Sequence, residues 1–159
     1  MPRSEDNLRM VQARTAGVLY LVIIILGLFS ELVVRGGLIV PGDPAATAGN
    51  IAASELLFRV GFVTDLIVFL SDVAVAVLLY LLLLPVSKTV SLLAAGFRLT
   101  GTAIYGVNLL NHFAPLLLLG GSSSVGALDP GQAEALSLFF LELQGHGYDL
   151  GLVFFGFHC

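Results

Sequence analysis

Apolar residues occur in four long runs separated by short polar segments. A helix needs about 20 mostly apolar residues to cross a bilayer. The runs therefore predict membrane spans over residues 15–34, 62–84, 90–112 and 135–159. Apolar character resumes around Pro115, just beyond the third run, so we expect that helix either to be long and tilted or to break there.

The segment between the first two runs predicts a second, shorter kind of helix. Gly36-Gly37 predicts the end of the first helix. Asp43-Pro44 predicts a new start, since Asp is a good N-cap residue and Pro is favoured at the first helical position. We therefore expect an interfacial helix over residues 44–59 that leads into the second span. Glu55 and Arg59 lie four residues apart on it and can pair.

Composition restricts the class of protein. Apolar residues make up 57% of the 159 positions and charged residues only 11%, whereas a soluble domain carries about a quarter charged residues. Seven Lys and Arg against eleven Asp and Glu leave no basic surface for nucleic acid. The single cysteine, Cys159, excludes an internal disulfide and a cysteine zinc cluster. We predict an all-α transmembrane helix bundle of about four spans, with the lipid bilayer as its partner.

Basic residues predict the orientation. Four of them fall on one side of the predicted topology: Arg3, Arg9, Arg14 and Lys88. The other side holds Arg35 and Arg59, and the predicted loop over residues 120–134 adds none. Since basic loops stay in the cytoplasm, we expect a cytoplasmic N-terminus. Arg35 follows Glu31 by four residues, which predicts an ion pair near the outer interface.

A polar stripe runs along the third predicted span. Thr102, Tyr105 and His112 lie within about 40° of Arg98 at 100° per residue, and Asn108 lies at the edge, about 80° away. One interpretation is a hydrated or ligand-lined groove. The other, which we favour, is hydrogen bonding between helices, a frequent role of polar residues in membrane bundles.

Two carboxylates lie on the second predicted span. Asp65 is interpreted as an interfacial group in water, and Asp72 lies deeper. A buried guanidinium is costly without a counterion, so Arg98 predicts a carboxylate partner, with Asp72 the first candidate and Asp149 the second. Asp72 and Arg98 could alternatively serve a small proton-coupled transporter, although the chain shows no pair of broken helices typical of transporters.

The fourth predicted span carries Glu142, His146 and Asp149 on one face. Carboxylate and imidazole groups can bind a metal, and His112 could add a fourth ligand, which would favour an intramembrane metal-dependent enzyme. Against this alternative, the spacing matches no known metal motif, and the chain has no nucleophile or nucleotide-binding signature. We expect no cofactor. Close packing at Gly147 and Gly151 explains the same helix more simply.

Several short motifs, in order, resemble those of a known family. They are Arg14-Thr15-Ala16-Gly17-Val18-Leu19-Tyr20, Leu38-Ile39-Val40-Pro41-Gly42-Asp43, Thr47-Ala48-Gly49-Asn50-Ile51, Glu55-Leu56-Leu57-Phe58-Arg59, Leu79-Tyr80, Leu84-Pro85-Val86, Phe97-Arg98 and Phe154-Phe155-Gly156-Phe157-His158. Together they resemble the prokaryotic membrane family catalogued as domain of unknown function 4386. The resemblance implies a multi-helix inner-membrane protein without an assigned activity, and it supplies no catalytic residues.

The resemblance also raises an expectation about the end of the chain. Members of that family typically continue with further spans after the terminal motif, so this chain looks truncated. We then expect a flank of Gly147, Gly151 and Gly156 to pack against a missing helix or a second copy of the chain.

The sequence therefore favours a non-enzymatic membrane bundle whose polar interior binds a small molecule, a lipid or a partner helix. The candidate interior residues are Asp72, Arg98, Thr102, Tyr105, Asn108, His112, Glu142, His146 and Asp149. The metal-dependent enzyme and the proton-coupled transporter remain alternatives.

Overall fold

A computed structural model describes residues 2–120 and 128–157, and within those ranges the regular structure is helical throughout. The elements are α1 (Pro2–Phe29), a π-helical segment (Ser30–Arg35), α2 (Gly36–Leu38), α3 (Pro44–Ala53), α4 (Glu55–Leu83), α5 (Lys88–Leu119) and α6 (Pro130–Phe157). Residues 121–127 of the predicted loop over residues 120–134, and also His158 and Cys159, lie outside the described residues, and residues 130–134 belong to α6.

Three stretches of helix are long and apolar enough to cross a membrane: Asp6–Leu38, Glu55–Leu83 and Lys88–Leu119. The prediction of an all-α membrane bundle is confirmed. The predicted fourth span corresponds to α6, which has 28 residues and carries Glu134, Glu142 and Asp149. It is not among the three helices that qualify by length and apolar composition.

The first helix does not end at the glycine pair, contrary to the sequence-based expectation. It continues through Gly36 and Gly37, and the chain leaves helical geometry at Ile39, with φ −91° and ψ 123°. Glycine costs a helix only about 1 kcal/mol relative to alanine. Burial of the following residue, Leu38, offsets that cost, since Leu38 packs in an apolar core cluster. The other buried members of the cluster are Val34, Ile51, Phe58 and Leu141.

Helix α3 begins as predicted, because the Asp43 Oδ1 accepts a hydrogen bond from the Ala46 N–H at 2.9 Å. The helix predicted over residues 44–59 is divided at Ser54, where φ is −132° and ψ is 40°. Side chains of α3 bond to the backbone after α1: Asn50 Nδ2 donates to the Leu38 carbonyl at 3.2 Å, and Thr47 Oγ1 accepts from Val40 N–H at 3.0 Å. These bonds hold α3 against the end of the first helix.

The predicted Glu55–Arg59 ion pair is present, at 2.7 Å, on the first turns of α4.

Helix α5 passes through Pro115 without interruption from Lys88 to Leu119. The sequence allowed either a long helix or a break near Pro115, and the structure has the long helix. The α5 N-terminus is capped by Ser87, whose Oγ accepts from Val90 N–H at 3.4 Å.

The long helices pack in sequence: α1 on α4, α4 on α5, and α5 on α6, while α3 packs on α6. Within the described ranges, α1 and α6 form no extended interface with each other. Because both flank the α4–α5 pair, a cleft remains between them.

Two glycines on α6 bring it close to α5. A Cβ atom on Gly147 would overlap the Asn108 side chain, and one on Gly151 would overlap the Tyr105 ring. The expectation that these glycines form an exposed flank is therefore wrong, because they lie in the α5–α6 contact. Only Gly156 of the three meets open space. The simpler interpretation of Gly147 and Gly151 as a close-packing face is confirmed.

Candidate functional site

Arg98 lies at the centre of the bundle and contacts three other helices. Its Nη2 pairs with Oδ1 of Asp72 on α4, and its Nη1 donates to the hydroxyl of Tyr20 on α1. The Phe155 ring of α6 lies 5.0 Å from the Arg98 Cζ, within range for a cation–π contact. Thr102 Oγ1 contacts the second carboxylate oxygen of Asp72. The prediction that Arg98 has a carboxylate partner is confirmed, and the partner is Asp72.

His112 occupies a second polar centre, where both ring nitrogens have partners. Its Nε2 lies 3.2 Å from the Phe58 carbonyl oxygen, which can only accept, so Nε2 carries the hydrogen. Its Nδ1 then accepts from Gln144 Nε2 at 3.3 Å. The ring also stacks on Phe58, with centroids 4.4 Å apart. Both ring nitrogens of His112 therefore have protein partners, and neither is free to act as the fourth metal ligand of the alternative metal site.

Asp65 is buried, so its interpretation as an interfacial group in water is wrong. Its Oδ2 lies 2.5 Å from Arg35 Nη2 and 3.9 Å from His112 Nδ1. Arg35 also donates to Glu31 Oε2 at 3.1 Å, which confirms the predicted pair, and to Ser30 Oγ at 3.2 Å. Arg35 thus connects the His112 centre to the end of the first helix.

The π-helical segment Ser30–Arg35 positions these groups. A π turn contains one more residue than an α turn, and such turns are frequent at functional sites. Here it lets Arg35 reach both Glu31, four residues earlier, and Ser30, five residues earlier. Val34 faces the core from the same segment, with 1% of its surface exposed.

The remaining residues of the predicted stripe also bond or pack between helices. Asn108 Nδ2 donates to the Gln144 carbonyl at 2.7 Å. Tyr105 stacks between Phe69, at 5.5 Å, and Tyr148, at 5.0 Å. All five residues of the stripe are buried, and none exceeds 8% exposure. The arrangement fits hydrogen bonding between helices and does not fit a hydrated groove.

The three ionisable groups predicted on α6 differ from the buried stripe of α5 in their exposure. Glu142, His146 and Asp149 are exposed, and within residues 2–120 and 128–157 they form no hydrogen bond or ion pair. They line one side of a cleft between α6 and the π-helical segment that ends the first helix, and the cleft has a volume of about 320 Å³. Its other lining residues are Glu31, Arg35, Gln144, Gly145 and Tyr148. In the same part of the chain, no three His, Cys, Asp or Glu side chains are grouped as a metal site requires.

An apolar pocket of about 100 Å³ adjoins this polar cleft. Tyr148 lines both cavities and forms the wall that they share. The apolar pocket adjoins the Arg98 centre, since Asp72 and Phe155 line it and both contact Arg98. It is lined by Ile23, Val68, Phe69, Asp72, Tyr105, Tyr148, Leu152 and Phe155.

Sequence reasoning missed three members of this site: Arg35 as the partner of Asp65, Gln144 as the partner of His112, and Tyr148 as the shared wall. A signal for Gln144 exists. It lies on the same side of α6 as Gly151, within about 20° at 100° per residue, and that glycine marks the side that approaches α5.

Comparison with known proteins gives one match. The family described as Domain of unknown function (DUF4386) matches residues 15–159. No curated protein and no solved structure matches the chain.

Proposed function

Since the chain belongs to the DUF4386 family, whose description assigns no activity, we propose its function from the cleft itself. The protein is a non-enzymatic membrane protein that binds an amphiphilic small molecule or lipid between α1 and α6. One observation carries this proposal: a polar cleft and an apolar pocket adjoin along the single side chain of Tyr148.

The order of the two cavities along the bundle supports an amphiphile. The polar cleft lies towards α3, at the end of the first helix, and the apolar pocket lies towards the Arg98 centre. An amphiphile in a bilayer leaflet has the same order, with its head group towards the surface and its chain towards the midplane. Because α1 and α6 do not close against each other, such a molecule can enter from the side, out of the lipid.

The proposal includes a transmembrane α6. Its 28 residues suffice to cross a bilayer, and it packs along α5, which is itself a candidate span. With four spans and the N-terminus in the cytoplasm, α3 and the polar cleft belong to the outer leaflet of a prokaryotic inner membrane.

Ligand binding is assigned to the cleft rather than to Asp72 and Arg98, the pair that the transporter alternative would use. These two groups already satisfy each other and also bind Tyr20 and Thr102. A ligand would have to displace those contacts, whereas Glu142 and Asp149 face the cleft without a protein partner in the described ranges.

A tryptophan reporter tests the proposal. The chain contains no tryptophan, so Phe155→Trp places a single reporter at the apolar pocket. Phe157→Trp is the matched control, since Phe157 is 68% exposed on another face of α6. Each variant is reconstituted in phosphatidylcholine vesicles with dodecanol that carries a terminal bromine, which quenches tryptophan on contact.

We expect stronger quenching at position 155 than at position 157 at the same mole fraction of probe. Unbrominated dodecanol should restore fluorescence at position 155 and leave position 157 less affected. Equal quenching at both positions, with no site-specific competition, would show that no amphiphile occupies the cleft and would overturn the proposal.

A further inference from the structure

We propose that the polar cleft selects a cationic head group, so that its ligand is a single-chain amphiphile bearing an ammonium group. This inference rests on the proposed function, because it names the class of amphiphile that enters the cleft between α1 and α6.

The first argument is the balance of charge. Glu31, Glu142 and Asp149 line the cleft, and Arg35 is its one guanidinium. The charge of Arg35 is already shared with Asp65, at 2.5 Å, and with Glu31, at 3.1 Å. Glu142 and Asp149 therefore face the cleft without a counterion in the described part of the chain. Ionised groups at membrane depth are costly when uncompensated, and a cationic ligand compensates them.

The second argument is a hydrogen-bond acceptor at the cleft that has no donor in the described part of the protein. Gln144 lines the cleft although only 5% of its surface is exposed. Its Nε2 is directed at His112 Nδ1, at 3.3 Å, which leaves Oε1 of the same amide pointing elsewhere. Within the described ranges, that oxygen accepts no hydrogen bond from the protein. This oxygen can therefore accept a hydrogen bond from a ligand, and an ammonium group brings N–H donors.

The third argument concerns the shape and walls of the two cavities. The apolar pocket, about 100 Å³, has room for part of one hydrocarbon chain rather than two. Tyr148, 39% exposed, presents an aromatic wall at the head-group end, where a cation gains from the negative face of the ring. A phosphate group would meet the cleft carboxylates unfavourably, so a net positive ligand fits better than a zwitterionic lipid.

The experiment compares dodecyl probes that differ only in head group. Terminally brominated dodecylammonium, dodecanol, dodecylphosphocholine and dodecyl sulfate are added separately to vesicles that hold the Phe155→Trp or the Phe157→Trp variant. Quenching at position 155 is divided by quenching at position 157, which removes differences in partitioning into the bilayer. We expect this ratio to be highest for the ammonium probe and lowest for the sulfate.

Two double substitutions separate the cleft charges from the general surface charge. Glu142→Gln with Asp149→Asn should reduce the ratio for the ammonium probe to that for dodecanol. Glu55→Gln with Glu134→Gln removes the same charge outside the cleft and should leave the ratio unchanged. Unaltered dodecanol quenching and helical circular dichroism in each variant establish that the bundle is intact.

The outcomes distinguish this inference from the proposed function. If all probes give the same ratio, above one, an amphiphile binds but the selection for a cation is overturned. If the phosphocholine probe gives the highest ratio, the ligand is zwitterionic and the inference is again overturned. If no probe gives a ratio above one, the proposed function fails as well.

Discussion

Arg98 of α5 and Asp72 of α4 form an ion pair inside the bundle, with side-chain exposures of 1% and 6%. Removing one member of a buried pair leaves the other charge without its counterion, which costs more than the pair itself contributes. The effect of replacing either residue on the free energy of unfolding therefore depends on whether the other is present, and a double substitution measures this.

Arg98→Leu should destabilise the bundle by roughly 3–5 kcal/mol, the range for breaking a buried pair, because Asp72 is then left charged and buried. Adding Asp72→Leu should recover much of that loss. Unfolding in mixed micelles, followed by circular dichroism, gives the free energy of unfolding for each variant.

Asp149→Leu is the control for that recovery, since Asp149 was the alternative partner and instead lines the cleft. Combined with Arg98→Leu, it should recover nothing. A well-tolerated Arg98→Leu would contradict the structural role of the pair.

Gly151→Ala should destabilise the α5–α6 contact by about 1–3 kcal/mol, the usual cost of overpacking. The new methyl group would overlap the Tyr105 ring, which is stacked between Phe69 and Tyr148 and cannot easily move aside. Thermal unfolding in detergent measures the effect.

Gly156→Ala on the same helix provides the comparison. It meets open space, so only helix propensity changes, and a gain of up to about 1 kcal/mol is expected. Equal effects of the two substitutions would show that α6 does not approach α5 at Gly151.

Asp65→Asn should cost about 2 kcal/mol, since it weakens a charge-assisted hydrogen bond, an interaction typically contributing about 1.5–3 kcal/mol. The loss stays below that expected for Arg98 because Arg35 retains Glu31 and Ser30. Glu55→Gln breaks an exposed ion pair with Arg59 and should cost less than about 1 kcal/mol. Chemical unfolding gives the loss of unfolding free energy for each variant. A larger loss for Glu55→Gln than for Asp65→Asn would contradict the burial of Asp65.

Cysteine labelling tests the proposed orientation in a Cys159→Ser background, which removes the one native thiol. A membrane-impermeant maleimide added to intact cells should label Ala53→Cys, at the end of α3, and should not label Lys88→Cys, at the start of α5. Labelling of Lys88→Cys alone would place the N-terminus outside.

The sequence was sufficient for the long helices and for the Arg98 centre. Hydropathy locates a membrane span because the bilayer thickness sets the length of the apolar run. Helical periodicity then places Arg98, Thr102 and Tyr105 on one face of the third span. The hairpin between α4 and α5 then leaves Asp72 as the nearest carboxylate in the sequence.

The inward side of α6 was harder to predict. Charged residues on its exposed face were expected to point inward, whereas Gln144 and the glycines point inward in the structure. Hydropathy distinguishes these faces poorly because a cleft and a helix contact both accept polar groups. The partnership of Arg35 with Asp65 was also missed, since it joins residues 30 positions apart through a π turn.

Two anchored residues, one before the π turn and one at its end, determine how the first helix tolerates changes in length. Tyr20 before it is held by Arg98, and Arg35 at its end is held by Asp65. Each α-helical residue advances the chain by about 100° around the axis, so the number of residues between these anchors fixes their rotational phase. Deleting even the outward-facing Val33 would turn one anchor away from its partner. The stretch from Tyr20 to Arg35 is therefore permissive to apolar substitution on its lipid face and intolerant of insertion or deletion.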